Sequence, residues 1–336
     1  MNNALKRMDK TLRSFSPKKR LRVIFTSGYI HGVGRWGLEV WIRKNFEKWQ
    51  KLLKKVDVFL VGCWSESYGA TLFEVCEETG ADAILEAVEI VEKGDVLVTG
   101  PVYKEPLYKR IREKGFDLEV GGVTEILKAY FKRKVEMVFS WFDGRRKYMP
   151  LFTRHIPLRE VPSVVIDENR WREFFENLKS SYVFEGNREF LVLGLNPHAS
   201  EGGKFGEEDM IVERILKKIC AECGLNFRGV VPADTAFWRK ASVYVSLYHD
   251  QWLPYLKGCH YASLVDETVG LDFYRFSPPS GPAVDIAKKI EAIFEAGDDF
   301  KGSFRSVQRV DQIFINPYDA ILRRIFEVVG YNKKRK

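Results

Sequence analysis

Short apolar runs typical of strands alternate with amphipathic helical segments along most of this 336-residue chain. Alternation of this kind is typical of α/β folds, because a strand followed by a helix returns to a neighbouring parallel strand. We therefore predict an α/β fold with a largely parallel sheet. The supporting strand-like runs are LRVIFTSG, VDVFLVGCW, DVLVTGP, VEMVFSWF, REFLVLGLNP and ASVYVSLYHD, and the helical segments include LEVWIRKNFEKWQKLLKK, DAILEAVEIVEKG, TEILKAYFKR and EDMIVERILKKICAECG.

The length of the chain favours two domains over one compact core. No apolar run approaches the roughly 18 residues of a membrane span. The first twenty residues are basic but lack the apolar centre of a secretory signal. We therefore expect a cytoplasmic protein that does not associate with membranes. Five cysteines, an odd and sparse set, agree with that expectation because they do not form a disulfide framework.

The net charge of +8 is compatible with either nucleic acid or an anionic small molecule as the partner. The basic residues are spread along the chain, apart from the two ends, SPKKRLR and NKKRK. The sequence has no RNA-binding signature and no regular interleaving of aromatic and basic residues. We interpret the ends as solvated tails and predict no nucleic-acid partner.

Four apparent strands end in a lysine or a histidine. Lys104 follows DVLVTGP, and His155, His198 and His249 follow three later strands. In open α/β sheets, ligands bind outside the carboxyl ends of the strands. Three neutral imidazoles suit Zn, Co, Ni or Fe, and an all-histidine set with an open position is of the catalytic type. We predict a three-histidine metal site; the alternative is that each histidine is a packed or capping residue.

Two further motifs favour a structural interpretation. Cys220 and Cys223 fall in a helical pattern with no second cysteine pair and no nearby histidine, so we interpret them as ordinary helix cysteines. The glycines of SGYIHGVGRWG match neither of the two phosphate-loop motifs, although a turn that brings the backbone close to a ligand stays open. His31 and His260 lack the strand-end context, and we interpret both as ordinary.

Seven blocks between residues 80 and 290 together resemble one family, the 4-hydroxythreonine-4-phosphate dehydrogenases of pyridoxal phosphate synthesis. The blocks are LVTGPVYKE, GGVTEIL, TRHIPLREVP, GLNPHASEGGKFGEED, VPADTAFW, YHDQWLPYLK and VGLDFYRFSPPSGPAVDIA. The resemblance implies a two-domain α/β/α fold with a cleft between the domains, like that of isopropylmalate dehydrogenases. It also implies a homodimer whose active sites borrow residues across the interface. We place domain one at 1–120 plus 284–336, and domain two, with the metal and substrate motifs and the dimer contacts, at 121–283.

The same resemblance implies functional roles, residue by residue, at the positions that match the family's motifs. These positions fall into four groups: the metal ligands His155, His198 and His249; the substrate contacts Thr124, Lys257, Asp266 and Arg275; the catalytic residues Lys104 and Asp234; and the cofactor contacts Gly281, Ala283 and Asp285.

The reaction that the resemblance implies is the NAD-dependent oxidation of 4-phosphohydroxy-L-threonine at its secondary alcohol, followed by loss of CO2, in pyridoxal 5′-phosphate (vitamin B6) synthesis. The expected cofactors are NAD and a divalent metal (Zn, Co or Mg) that stabilises negative charge on the reacting oxygen. Lys257 and Arg275 would supply the fixed positive charge that a phosphorylated substrate needs.

Several positions depart from the family's pattern. Val123 replaces a histidine, Asp266 replaces an asparagine, and Ser280 and Pro282 replace a histidine and a threonine of the cofactor segment. These changes leave two alternatives: the same chemistry on another phosphorylated hydroxy acid, or a non-catalytic metal-binding homologue. At Asp266, either a neighbouring cation neutralises the carboxylate or the substrate presents a hydrogen-bond donor to it.

Overall fold

The computed structural model describes residues 20–27, 36–75, 80–100, 102, 104–116, 122–279 and 316–334. Within these residues eleven strands form one sheet, and the predicted α/β class is confirmed. The strands are β1 (Arg22–Thr26), β2 (Asp57–Gly62), β3 (Thr71–Glu74), β4 (Val96–Val98), β5 (Glu136–Asp143), β6 (Arg145–Pro150), β7 (Phe190–Leu193), β8 (Phe227–Val231), β9 (Val243–Val245), β10 (Val265–Val269) and β11 (Tyr274–Ser277). Their order across the sheet is β3-β2-β1-β4-β11-β10-β5-β6-β9-β7-β8.

The helices follow the amphipathic segments of the sequence. They are α1 (Trp36–Lys44), α2 (Phe46–Leu53), α3 (Ala81–Ile90), α4 (Lys104–Glu113), α5 (Val123–Phe131), α6 (Val161–Val165), α7 (Glu168–Lys179), α8 (Glu208–Cys223), α9 (Leu253–Cys259) and α10 (Asn316–Lys334). The continuous helix expected in LEVWIRKNFEKWQKLLKK is divided at Asn45, whose side-chain amide donates to the Trp41 carbonyl at 3.1 Å. A side chain that bonds to the backbone in this way competes with the regular helical ladder.

Two parallel blocks of strands run in opposite senses. One block is β3-β2-β1-β4-β11, and the other is β6-β9-β7-β8. Between them, β10 and β5 pair antiparallel with each other and with β11 and β6. The prediction of a largely parallel sheet is therefore confirmed, and the antiparallel pairings are confined to the centre. As a result β4, which precedes Lys104, runs opposite to β6, β7 and β9, which precede the three histidines.

Successive residues of the central strands face two different cores, which gives the fold its three layers. In β1, Val23 and Phe25 pack with α1, α2 and α10, whereas Ile24 packs with α3, α4 and α5. In the second block, Val192 packs with α6, α7 and α8, and Leu193 packs with α9. A strand covered on both faces by apolar side chains is the expected partner of helices above and below a sheet.

Helix α10 returns from the C-terminal part of the chain to the centre of the sheet. Its Arg324 donates Nε–H to Glu267 Oε1 on β10 at 3.0 Å, and both side chains are buried. Tyr182 donates its hydroxyl to Glu267 Oε2 at 2.6 Å, and Ser140 donates to Oε1. Burial, together with the Glu267 charge, raises the pKa of Tyr182, so its hydroxyl stays protonated as a donor. The buried carboxylate is therefore paired on both oxygens.

Three smaller expectations concern the cysteines, membranes and domains. Cys220 and Cys223 lie on α8, as predicted, and burial raises the pKa of the Cys220 thiol to about 12. Among the described helices, none is long and apolar enough to span a bilayer. The division into domains 1–120 plus 284–336 and 121–283 stays a prediction.

Candidate functional site

His155 and His249 lie together, and they come from the segments that follow β6 and β9. Their ring centroids lie 5.5 Å apart with an angle of 34° between the ring planes. His249 Nδ1 lies 3.0 Å from Asp250 Oδ1. The turn that carries His249 is pinned by Gln251, whose Nε2 donates to the Gly194 carbonyl just after β7 at 2.7 Å. The YHDQ motif thus places one histidine and ties it to the neighbouring strand.

His198 is exposed to solvent and does not join the pair formed by His155 and His249. Its side chain is 65% exposed, and its Nδ1 lies 3.8 Å from Glu201 Oε2. Its ring packs edge-on against Phe205 with the centroids 6.0 Å apart. Within the part of the chain that the structure describes, no three His, Cys, Asp or Glu side chains are grouped to hold a metal ion. The three-histidine centre therefore stays a prediction, with two of its members together.

The loop that carries His198 has an unusual backbone. All five residues from 198 to 202 have positive φ, between 42° and 70°. Because each non-glycine residue in this region costs about 1–2 kcal/mol, strong bonds elsewhere must offset the strain. The buried carboxylate of Asp209 provides them: it accepts from Leu195 N at 2.6 Å, Asn196 N at 3.0 Å and the Ser200 hydroxyl at 2.8 Å.

The geometry of the histidine pair fits two ligands of one ion. With nitrogen–metal bonds of about 2.0–2.1 Å, the ring centroids of two tetrahedrally arranged histidine ligands would lie about 5 Å apart. The observed separation of 5.5 Å is close to that value. His155 itself has a positive φ of 46°, a strained conformation of the kind that clusters at functional sites. The pair His155 and His249 is thus the part of the predicted site that suits a divalent metal.

A chain of carboxylates and guanidinium groups lies behind His155. Glu125, on the first turn of α5, accepts the Gly122 N–H at 2.7 Å with Oε2, and the same oxygen lies 3.8 Å from His155 Nδ1. Its Oε1 lies 3.2 Å from Arg154 Nε. Arg154 Nη1 also donates to Glu136 Oε2 at 2.9 Å. Glu125 thus combines the capping of α5 with contact to a metal-ligand candidate.

A cavity of about 410 Å³ adjoins this chain of ionic groups. The buried carboxylate of Glu136 lies in its wall, where Arg170 donates to both carboxylate oxygens at 3.1 and 3.0 Å and Asn177 donates to Oε1 at 3.0 Å. The charges of Arg154 and Arg170 are therefore taken up largely by carboxylates of the protein itself.

Three of the predicted substrate contacts, on α5, β10 and β11, form one hydrogen-bonded group. Thr124 and Thr268 share a hydrogen bond between their hydroxyls at 3.0 Å. Arg275, which is buried, donates Nη1–H to Thr268 at 3.3 Å and to Asp266 Oδ2 at 3.0 Å. Its Nε and Nη2 both donate to the Thr99 hydroxyl, at 3.2 and 2.8 Å. The structure thus brings Thr124, Asp266 and Arg275 together, and it pairs the carboxylate with the guanidinium.

Lys257, on α9, lies near the Asp266 carboxylate. Burial lowers the pKa of its ammonium group, and the charges of Asp266 and Asp250 partly offset that effect. Lys257 forms no hydrogen bond or ion pair with any described residue. A partly buried ammonium group that is not paired inside the protein is suited to bind an anion.

For the remaining predicted residues the structure gives at most the element that carries them. Lys104 is the first residue of α4, and Asp234 is exposed on the 3-10 helix Ala233–Trp238, which contacts the 3-10 helix Pro197–Gly203 that carries His198. The predicted cofactor contacts, together with the departures in their segment and the N-terminal glycines, lie outside the described residues: Gly281, Ala283, Asp285, Ser280, Pro282, Gly28, Gly32 and Gly34.

Sequence reasoning missed the residues that support the predicted ones. Thr99 and Thr268, which hold Arg275, carry no sequence signal because the partners are distant in the chain. Glu125 could have been found, since a carboxylate at the third position of a helix is the expected partner of the N-cap amide. Asp209 resembles an ordinary acidic residue of a first helical turn, although it is buried.

Comparison with known proteins points to one family. Residues 41–296 match the family described as "Pyridoxal phosphate biosynthetic protein PdxA". The 4-hydroxythreonine-4-phosphate dehydrogenase of Sulfurimonas denitrificans is 31% identical over 221 residues, which are 63% of this chain and 67% of that protein. The protein of the same name from Marinobacter nauticus is 32% identical over 236 residues, which are 66% of this chain and 67% of that protein.

Two crystal structures of 4-hydroxythreonine-4-phosphate dehydrogenases have a similar fold. The one from Klebsiella pneumoniae has a TM-score of 0.57 at 20% identity and covers 80% of this chain and 93% of that chain. The one from Burkholderia phymatum has a TM-score of 0.54 at 22% identity and covers 83% of this chain and 97% of that chain. At these identities the likeness shows the fold, and it agrees with the three layers described above.

Proposed function

Because the chain belongs to the pyridoxal phosphate biosynthetic protein PdxA family, we propose that it oxidises 4-phosphohydroxy-L-threonine in pyridoxal 5′-phosphate synthesis. Its curated relatives are named as dehydrogenases, and the chain is an enzyme of that class. In the proposed reaction the secondary alcohol becomes a ketone, NAD takes the hydride, and one proton is released. The β-keto acid then loses CO2. The residues proposed to contact NAD are Gly281, Ala283 and Asp285.

The observation that supports metal assistance is the pairing of His155 and His249 at 5.5 Å. A divalent ion (Zn, Co or Mg) bound there would supply Lewis-acid stabilisation of negative charge on the substrate oxygen. Glu125 lies 3.8 Å from His155 Nδ1 and pairs with Arg154, and Gln251 fixes the turn of His249. Lys257 holds an anionic group of the substrate. Lys104 and Asp234 remain the proposed catalytic residues.

We propose that the functional form is a homodimer with shared sites. Four exposed apolar side chains, Phe205, Met210, Phe237 and Trp238, lie in or near two 3-10 helices that contact each other, Pro197–Gly203 and Ala233–Trp238, the first of which carries His198. We treat them as one exposed apolar surface. Phe205 contacts the His198 ring, and Trp238 is 74% exposed. Exposed apolar patches of this kind mark protein contacts. A second copy that covers this surface would also contact His198, which is the third predicted metal ligand.

A second candidate function is the same oxidation of another phosphorylated hydroxy acid. It is favoured by Asp266, because a carboxylate beside the substrate's phosphate repels it unless a cation intervenes. The cation present there, Arg275, already bonds to Asp266 Oδ2 at 3.0 Å. The substrate's phosphate is therefore better placed at Lys257 than at Arg275.

The deciding experiment is a steady-state assay of NADH formation with a panel of phosphorylated hydroxy acids. We expect activity with 4-phosphohydroxy-L-threonine that depends on added Zn, Co or Mg. Elemental analysis of wild type, His155→Ala and His249→Ala should show metal in the first and its loss in both variants. NADH formation with none of the compounds would contradict the proposed function, and equal metal content in all three proteins would contradict the ligand assignment.

A further inference from the structure

The two carboxylate oxygens of Asp266 have different surroundings. Oδ2 accepts from Arg275 Nη1 at 3.0 Å and from the Ser277 hydroxyl at 2.9 Å. Oδ1 is buried and accepts no hydrogen bond from any of the described residues. Leaving a buried charged acceptor without a donor is costly, so this oxygen needs a donor other than the described residues, and a bound ligand can supply it. The side chain is 14% exposed, so the position is not sealed from a ligand.

Arg275, which pairs with Asp266, is not available to bind a phosphate group through two parallel N–H groups. Its Nε–H and one Nη2–H are directed to Thr99, and its two Nη1–H groups are directed to Thr268 and Asp266. A guanidinium binds phosphate strongly when two parallel N–H groups are available. The described residues leave one Nη2–H of Arg275 unused, and Asp266 balances the positive charge.

Lys257 is the neighbouring cation that stays available. Its ammonium group lies close enough for the Asp266 charge to raise its pKa, yet the two groups form no ion pair. This part of the site therefore presents a cation, and an acceptor oxygen that lies within range of its charge. A dianion alone satisfies the cation and is repelled by the carboxylate. A ligand that carries an anionic group and a donor satisfies both.

We propose that Asp266 determines substrate specificity: its Oδ1 accepts a hydrogen bond from an ammonium or hydroxyl group that the substrate carries beside the anionic group held by Lys257. This inference depends on the proposed function in one respect, namely that Lys257 and Asp266 face the substrate. In 4-phosphohydroxy-L-threonine such a donor is the ammonium group on the carbon next to the reacting alcohol.

An asparagine at position 266 would favour a ligand with an acceptor over a ligand with a donor. In an Asp266→Asn variant, the two donors that now fix Oδ2, Arg275 Nη1–H and the Ser277 hydroxyl, would fix the oxygen of the side-chain amide. The amide nitrogen would then stand where Oδ1 stands now. Since that nitrogen only donates, an acceptor oxygen would become a donor, and a substrate ammonium or hydroxyl would meet a like group.

The test is direct binding, by calorimetry, of three compounds that differ at one carbon. They are 4-phosphohydroxy-L-threonine, its 2-hydroxy analogue and its 2-deamino analogue, 3-hydroxy-4-phosphobutanoate. Wild type should bind the first two about ten- to a hundred-fold more tightly than the third, as expected for a hydrogen bond to a charged acceptor. In Asp266→Asn that ratio should fall to about one or below.

Two control variants separate selectivity from charge. Asp272→Asn removes the same charge from the turn between β10 and β11, where the carboxylate is 52% exposed and paired to Arg133, and it should leave the ratio unchanged. Lys257→Gln should weaken the binding of all three compounds by the same factor. Thermal melting of each variant establishes that it is folded.

Wild-type protein that binds the three compounds equally, or binds none, overturns the proposal, and so does an unchanged ratio in a folded Asp266→Asn variant. If that variant does not fold, the wild-type ratio decides. The proposed function is judged separately by NADH formation, so selective binding without turnover would contradict that function and leave the role of Asp266 standing.

Discussion

Arg324, on the last helix, and Glu267, on a central strand, form an ion pair at 3.0 Å in which both side chains are buried. The guanidinium lies 4.7 Å from the centre of the Tyr182 ring, so an aromatic face covers it as well. The pair joins the C-terminal helix to the middle of the sheet. Removing one partner of such a pair leaves the other charge buried and uncompensated, which is costly.

We expect Arg324→Met to lower the free energy of unfolding by about 3–5 kcal/mol, measured by urea denaturation. The double variant Arg324→Met/Glu267→Met should recover part of the loss, because the uncompensated carboxylate is gone. Arg323→Met on the same helix is the control: Arg323 is exposed, and its removal should change stability by less than about 0.5 kcal/mol. Equal effects of the two single variants would contradict the assignment.

Glu125→Ala should weaken Zn binding about ten- to a hundred-fold, because the carboxylate that orients His155 is lost. Glu125→Gln keeps an acceptor for the Gly122 amide and should retain more affinity. Competition with a chromogenic chelator measures both. Glu173→Ala is a suitable control, because Glu173 lines the same cavity and pairs with Lys134 at the surface. Zn affinity in Glu125→Ala as tight as in wild type would exclude the positioning role.

Binding of the phosphorylated substrate should weaken as pH rises through the pKa of Lys257, which burial lowers. The anion needs the protonated ammonium, so the affinity is fully present below that pKa and is lost above it, at lower pH than for an ordinary lysine. Lys257→Arg should bind with little pH dependence, because a guanidinium stays protonated. Calorimetric dissociation constants of both proteins across a pH series test this prediction. Identical pH profiles of wild type and Lys257→Arg would show that Lys257 does not bind the anion.

The folding stability of the unliganded protein should depend on pH in the opposite direction, that is, it should increase as pH rises. Because the folded-state pKa of Lys257 lies below its unfolded-state value, the unfolded chain binds more protons in that window and stability increases with pH there. Lys257→Met should remove this increase in a pH series of thermal melts. An increase of the same size in the variant would assign it to other groups.

Asp209→Ala should destabilise the loop that carries His198, since three donors lose one buried acceptor. We expect a loss of roughly 3 kcal/mol or more in unfolding free energy, from charge-assisted bonds of about 1.5–3 kcal/mol each. Amide hydrogen exchange should increase most at residues 195–203. The control Glu207→Ala removes an exposed carboxylate from the same segment. Exchange that is unchanged at this loop in Asp209→Ala would refute its organising role.

Trp238→Glu should shift the protein from dimer to monomer in sedimentation velocity, because a charge would enter the exposed apolar surface beside His198. Metal content should fall with it if the sites are shared. Phe46→Glu, at an aromatic residue on α2 that is 47% exposed, is the matched control and should leave the association state unchanged. A monomeric wild type, or a Trp238→Glu dimer, would rule out this interface.

The sequence allowed the α/β class to be predicted, and it placed His155 and His249 at strand ends, because apolar periodicity and strand-end position are local properties. It did not allow β10 and β11 to be predicted. Those strands carry the charged residues Asp266, Glu267 and Arg275, of which the last two are buried, so their apolar pattern is interrupted. Charges of this kind are tolerated only through partners that lie elsewhere in the chain.

The direction of His198 could not be predicted for a different reason. Its loop has six consecutive positive-φ residues, 198–203, of which four are not glycine, and nothing local in NPHASEGG favours that backbone in the four. Asp209, several residues later, stabilises it. Likewise, the opposite senses of the two parallel blocks depend on β5 and β10, whose pairing is antiparallel and distant in sequence.

The position of β4 in the sheet imposes a waiting time during synthesis. Thr99, at the end of β4, bonds to Arg275 on the adjacent β11, and the two are 176 residues apart. At about 5–20 residues per second, a ribosome needs roughly 9–35 s to supply the missing strand. Until then the open edge of β4 is a template for strands of other chains. The yield of folded protein in the cell therefore depends on how well that edge is shielded while translation proceeds.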